Sequence, residues 1–431
     1  MMKKSLVFSG NCKTEAPFFR RRNEDITPDE SRLLSLKNYL SGIKYLICTV
    51  IVSTAYYSSY AQDNVSLKRA EQTLDAIYKN YSAPNTCLLR ETFPFDDKYT
   101  ADYLASEEQS KRPNPYSYLW PFSGTFSAVN ALINSSGDAK YPDMLENKVL
   151  TGLEEYFDTK RPPAGYASYI NSAPASDRFY DDNVWLVIDF AEAYLKSGKK
   201  IFLDKAEKTW LFVISGWDDK IGGGIYWTEQ KKTSKNTCSN APSVVAAMKL
   251  FESTNNKDYF DWAIKIYEWT KFNLQDSADY LYFDNIRLNK RIDRAKYSYN
   301  SGQMLQGAAL LYNETKDNKY LTDAVRIAES CYNLFFSDFE STEGKFRILK
   351  NGNVWFNAVM MRGFVELYRI DNNRKYIDAF RKSLDYAWEH AREANGLFNQ
   401  DFSGEKKDKN NWLLTQAAIV EMYARLASFS R

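Results

Sequence analysis

The chain has 431 residues, 57 of them basic and 55 acidic, for a formal net charge of +2. Charge this close to balance implies no polyanionic partner, and no basic stripe interleaves with aromatics, which disfavours nucleic acid. The single histidine, His390, excludes a Ser-His-Asp triad and any multi-histidine metal site. It lies near the C-terminal end of a helical run, where it complements the helix dipole.

Residues 45–55 form a short apolar run after Lys44, closed by small residues up to Ala61. This pattern reads as a secretory signal with cleavage after Ala61, and it is too short to span a bilayer. Residues 1–61 are therefore expected to be leader and signal peptide, with export to the periplasm, cell surface or medium. The expected mature protein has no membrane span. It keeps Cys87, Cys238 and Cys331, an odd number that allows at most one disulfide. A disulfide scaffold is excluded.

From residue 62 onward the dominant signal is helix, and it repeats. One helix type opens with an aromatic residue, a nearby Asp and, in most copies, an Ala. Its copies start at Phe202, Tyr259, Tyr320 and Tyr376, with a degenerate copy at Tyr141. Successive starts differ by 61, 57, 61 and 56 residues, enough for two helices each. A second type alternates with it, apolar on every side, starting near Trp120, Asp181, Ser239, Tyr299, Trp355 and Trp412. A helix apolar all round is an inner helix. With a first amphipathic helix near Ser66–Tyr81, the pattern predicts an all-α fold. It is an (α/α)6 barrel of six inner and six outer helices, occupying residues 62–431 as one domain. Short hairpins are expected at Gly222–Trp227 and Gly344–Arg347.

Alternation makes all inner helices run the same way, so their N-termini meet at one mouth. The residues there are Trp120, the run Asp181-Asp182-Asn183 with Trp185, Lys235, Asn236, Asn240, Tyr299, Asn300, Trp355, Phe356 and Trp412. Singly these are ordinary helix starts. Together they describe a cleft of amides and aromatic faces containing two acids, suited to a neutral polyhydroxylated ligand. Paired carboxylates in such a cleft suit glycoside hydrolysis, one as nucleophile or base and the other as proton donor. Gly223 and Gly224, before Tyr226 and Trp227, read as a tight turn or as room for a sugar or the Trp227 ring. Asp218-Asp219, in a turn sequence, is the rival acid pair.

Four ordered motifs carry a specific resemblance. They are Asp181-Asp182-Asn183-Val184-Trp185, Gly222-Gly223-Gly224-Ile225-Tyr226-Trp227, Lys235-Asn236 with Ser239-Asn240, and Tyr299-Asn300-Ser301-Gly302. Trp355-Phe356-Asn357 through Arg362-Gly363 forms a fifth. From about residue 66 the chain resembles the glycoside hydrolase family 76 endo-α-1,6-mannanases. The resemblance implies the (α/α)6 barrel, a retaining mechanism, Asp181 as nucleophile and Asp182 as acid/base. It also implies α-1,6-linked mannan or manno-oligosaccharide as ligand. No cofactor or metal is called for, and the chain is expected to act as a monomer. Cys238 and Pro242 depart from the family's third motif. A non-catalytic mannan-binding protein and a transglycosylase on the same barrel remain the alternatives.

Overall fold

The computed structural model describes residues 65–430 except 97, 102, 112, 113 and 343. The expected leader and signal peptide lie outside the described residues. Outer and inner helices alternate. The first outer helix, α1, covers residues 65–81, and the first inner one, α2, covers Leu119–Ser136. The degenerate outer copy, α3, is broken into Lys140–Met144, a π-helical turn Leu145–Leu150 and Thr151–Glu154. Inner α4 (Tyr180–Ser197) leads into outer α5 (Lys200–Ile214). Inner α6 (Thr237–Thr254) leads into outer α7 (Lys257–Leu274). Inner α8 (Ser298–Thr315) precedes outer α9 (Asn318–Phe335). Inner α10 (Val354–Asp371), outer α11 (Lys375–His390) and inner α12 (Leu413–Ala427) complete the set. Each inner helix packs on the next, and α12 closes on α2, so the inner ring is complete.

The two ends of the barrel differ because their connections differ. At the C-terminal ends of the inner helices the chain turns within two or three residues. A left-handed residue stops five of these helices: Gly137, Gly198, Asn255, Lys316 and Asn372, with φ between 54° and 73°. At the other end the connections are long and carry the strands. Ser234–Asn236, Phe283–Arg287 and Ile292–Lys296 form one antiparallel sheet. The hairpin expected around Gly344 is present, as Phe336–Ser341 with Gly344–Leu349. Gly222–Trp227 is not a hairpin of its own: it makes single bridges, Ile225 to Trp217 and Tyr226 to Lys235. The strand Thr92–Phe93 pairs with Asn411–Trp412, tying the segment before α2 to the start of α12.

A repeated side chain holds these long connections. At the fourth residue of α4, Asn183 accepts from Tyr166 N at 2.7 Å and donates to the carbonyls of Tyr166 and Phe179. At the fourth residue of α6, Asn240 does the same for Ile225, with a bond to Asn236 O. At the fourth residue of α12, Gln416 does so for Phe398, with a longer bond to Trp412 O. In α8 the fourth residue is Ser301, whose hydroxyl accepts from Tyr282 N at 3.0 Å. Each satisfies loop backbone groups that would otherwise be buried without partners.

The core contains charge as well as apolar surface. Arg362 on α10 is paired bidentately with Glu421 on α12 at 2.7 and 2.9 Å, both essentially without solvent exposure. Burial would raise the Glu421 carboxyl, but Arg362 and Arg425 outweigh it and hold it at about 2. Asp189 on α4 accepts from Ser127 on α2 at 2.7 Å. Among the described residues no helix is long and apolar enough to cross a membrane. Cys87, Cys238 and Cys331 are free thiols. His390 ends α11 and stacks on Tyr386 at 3.9 Å between centroids.

The tightest inner contact is between α8 and α10. A Cβ on Gly302 would lie 2.4 Å from Met360 Cα, and one on Gly363 2.4 Å from Gly302 O. Gly302→Ala is expected to destabilise the fold by about 1–3 kcal/mol. The measurement is a lowered denaturant midpoint with an unchanged slope.

Candidate active site

The long connections and the inner-helix N-termini enclose a cavity of about 370 Å³. Trp120 comes from α2, Asp181, Asp182 and Trp185 from α4, Tyr299 from α8, and Trp355 and Phe356 from α10. Trp227 comes from the connection between α5 and α6. The sequence thus placed eight cavity residues correctly. It missed Tyr103, Leu104, Tyr118, Ser168, Phe179 and Tyr297, which line the same space. Phe179 and Tyr297 each occupy the cap position directly before an inner helix, so extending the same start-of-helix argument by one or two residues would have found them. Tyr103, Leu104 and Ser168 lie in irregular chain with no periodic signal.

The aromatic walls hold one another. Trp120 meets Trp355 edge-on at 5.5 Å, Trp185 meets Trp355 at 5.0 Å, and Tyr299 stacks on Phe356 at 3.9 Å. Ring faces and edges fixed in this way present flat apolar surface beside polar rims.

The two aspartates are adjacent in sequence and unequal in surroundings. Asp181 accepts from Trp227 Nε1 at 3.1 Å and from the Asp182 backbone N–H at 3.1 Å. The buried Cys238 thiol, at the second residue of α6, is a third donor. Burial raises the Asp181 carboxyl to about 6, and these donors limit the rise. Asp182 is raised further, by burial first and then by the charge on Asp181. Both carboxyls are thus raised by burial, and the donors that favour a charged form converge on Asp181. Asp284, on the strand Phe283–Arg287, is another carboxyl that burial raises; it accepts from Asn285 at 2.8 Å and does not line the cavity.

Other expected ligand residues serve elsewhere. Asn183 and Asn240 are the braces described above, fully buried and engaged with backbone. Lys235 is buried, its ammonium bonded to Asp218 Oδ1, Asp218 O and Gly223 O at 2.6–2.7 Å. Tyr226 also donates to Asp218, at 2.8 Å. The rival pair is accounted for in this way: Asp218 is a loop anchor, and Asp219 is exposed outside the cavity. Gly223 and Gly224 have φ of 128° and 89°, and a Cβ on them would meet the Trp217 and Trp269 rings at 2.5 Å. Indole packing beneath the loop, and not the approach of a sugar or Trp227, requires these glycines. Asn236 accepts from Ser234 at 2.8 Å, and Asn300 reaches Asp284 at 3.5 Å; neither lines the cavity. Arg362 is in the core ion pair. Trp412 lies one ring away, edge-on to Trp120 at 5.3 Å. Pro242 sits inside α6 without interrupting it.

A ring of inner helices with paired acids at its aromatic mouth is the architecture of a helical-barrel glycosidase. A sequence profile described as Glycosyl hydrolase family 76 matches residues 91–428. The chain belongs to that family. A glycoside hydrolase family 76 mannosidase from Bacteroides thetaiotaomicron is 36% identical, with a TM-score of 0.77. That match covers 84% of this chain and 98% of that one. A family 76 α-mannanase from the same organism is 25% identical, with a TM-score of 0.74, over 84% of this chain and 96% of that one. The mannan endo-1,6-alpha-mannosidase DCW1 of Saccharomyces cerevisiae is 33% identical over 134 residues, 27% of this chain and 30% of that protein. The chain spans about half the length of the Schizosaccharomyces pombe relatives it matches, 51% and 49%.

The Trp227 contact can be tested directly. Trp227→Phe keeps an aromatic ring, though a smaller one, and removes one donor to the charged form of Asp181, which moves that carboxyl upward. The acid limb of kcat/KM is expected to shift to higher pH. Turnover near neutrality should fall by about tenfold, the order of one hydrogen bond to a charged group. A pH–rate profile of both proteins measures both effects.

Proposed function

We propose that the protein is a retaining glycosidase that cleaves α-1,6-mannosidic bonds in α-mannan, with Asp181 as nucleophile and Asp182 as general acid/base. The observation that carries this reading is the adjacent aspartate pair inside the aromatic cavity, with Trp227 Nε1 and a backbone N–H directed at Asp181. A nucleophile must be ionised, and Asp181 has three donors to its charged form. A general acid must hold its proton near working pH, and Asp182 is raised by burial and by its neighbour's charge. In the first step Asp182 would protonate the glycosidic oxygen as Asp181 attacks the anomeric carbon, forming a glycosyl-enzyme ester. In the second step Asp182 would take a proton from water, which displaces Asp181. The linkage and the sugar come from the relatives' names, α-mannanase and mannan endo-1,6-alpha-mannosidase. The cavity's neutral aromatic walls are compatible with that ligand.

Asp181→Asn and Asp182→Asn are each expected to lower kcat on unbranched α-1,6-mannan by about 100-fold or more. The check is reducing-end release over time. Full activity in both variants would overturn the assignment, and mannan binding without release by the parent would identify a binding protein. Products longer than the substrate would indicate transfer to sugar instead of water. Stereochemistry gives an independent reading: retention predicts the α-anomer as the first product, seen by proton NMR before mutarotation. The β-anomer appearing first would remove the nucleophile role from Asp181.

A further inference from the structure

Beside the catalytic cavity lies a second recess of about 510 Å³, which shares Tyr103 with it and has Trp412 in its wall. Its other lining groups include Asp96, Gln400, Lys409 and Asn410. An indole with amides and charged side chains around it is the composition of a sugar site, where rings stack and hydroxyls find donors and acceptors. Between the two spaces stands a ridge of Tyr103 and Trp412, whose rings are 5.8 Å apart.

One residue holds that ridge. Glu91 is buried, and its Oε1 accepts from Tyr103 OH and from Trp412 Nε1, both at 2.7 Å. Its Oε2 accepts from the backbone N–H of Tyr118 at 2.8 Å. Its backbone carbonyl accepts from Leu413 N at 3.0 Å, beside the pairing of Thr92 with Trp412. The two rings come from segments more than three hundred residues apart in sequence. A single buried carboxylate fixes both, and buried donors without it would have no partner.

We propose that Glu91 is a positioning residue for chain-length recognition. It sets Tyr103 and Trp412 as the ridge over which a linear mannan chain passes from the catalytic cavity into the second recess, a distal sugar subsite. This rests on the mannan reading above. It goes beyond it by making affinity depend on residues of the ligand that lie outside the cavity holding the aspartates.

The test uses the full chain carrying Asp181→Asn and Asp182→Asn, so that ligands are bound and not cut. Dissociation constants for α-1,6-mannotriose and α-1,6-mannohexaose are measured by calorimetry. The hexasaccharide is expected to bind about three- to tenfold more tightly, the order of one aromatic contact. Adding Gln400→Ala or Glu91→Gln is expected to shrink that ratio towards one. Tyr103→Phe, which removes one donor and keeps the ring, tests the ridge if Glu91→Gln does not fold. A purely structural role for Glu91 would weaken both ligands by the same factor and leave the ratio intact, which would overturn the proposal. Equal affinity for the two ligands in the parent would overturn it as well, while leaving the mannan reading in place. No binding of either sugar would overturn the mannan reading and this inference with it.

Discussion

The barrel mouth depends on an amide or hydroxyl at the fourth residue of an inner helix. Long connections crossing the mouth carry backbone N–H and C=O groups into a buried place, and each such group needs a partner. Asn183, Asn240 and Gln416 give a bidentate answer, taking both the N–H and the C=O of one loop residue. All three also bond back to the carbonyl four residues earlier, which aligns the side chain along the first turn. The loops held in this way bring in Trp227 and the strand Gly165–Tyr166, and they leave the cavity open between them. Without these braces the aspartates would still start a helix, but nothing would define the space above them.

Electrostatics then separates two residues of identical chemistry. Asp181 and Asp182 are consecutive, on one helix turn, and both are drawn upward by burial. The difference lies in what reaches them from elsewhere: an indole from one connection and a thiol from the next inner helix, both directed to Asp181. Cys238 thus contributes to the charge balance of the pair. The same principle operates in the core, where Arg362 and Arg425 keep Glu421 ionised despite complete burial.

Much of the architecture was legible in the sequence because its signals are local. The alternating helix types, the spacing of about sixty residues and the convergence of inner N-termini follow from apolar periodicity and chain direction alone. All five repeated outer starts fall within one or two residues of observed helices, and the weak copy at Tyr141 became the broken helix with a π turn. The site was legible where helix starts supply it directly. It was misread where a polar residue at a helix start has two possible partners. Nothing local distinguishes an Asn facing a sugar from an Asn facing a loop, and Asn183 and Asn240 proved to face loops. Lys235 and Arg362 were misread for the same reason, since their carboxylate partners Asp218 and Glu421 lie 17 and 59 residues away, beyond any helix turn.

The sequence by itself determined the helical barrel, the common mouth and the presence of an adjacent aspartate pair at it. It could do so because periodicity, caps and adjacent aspartates are written within a turn or two of chain. Only the tertiary structure decided which aspartate receives a donor from a distant connection, which glycines serve packing, and which polar residues are braces. Those outcomes depend on desolvation and on partners brought together from distant connections, as Glu91 joins Tyr103 to Trp412. Local sequence carries no record of them.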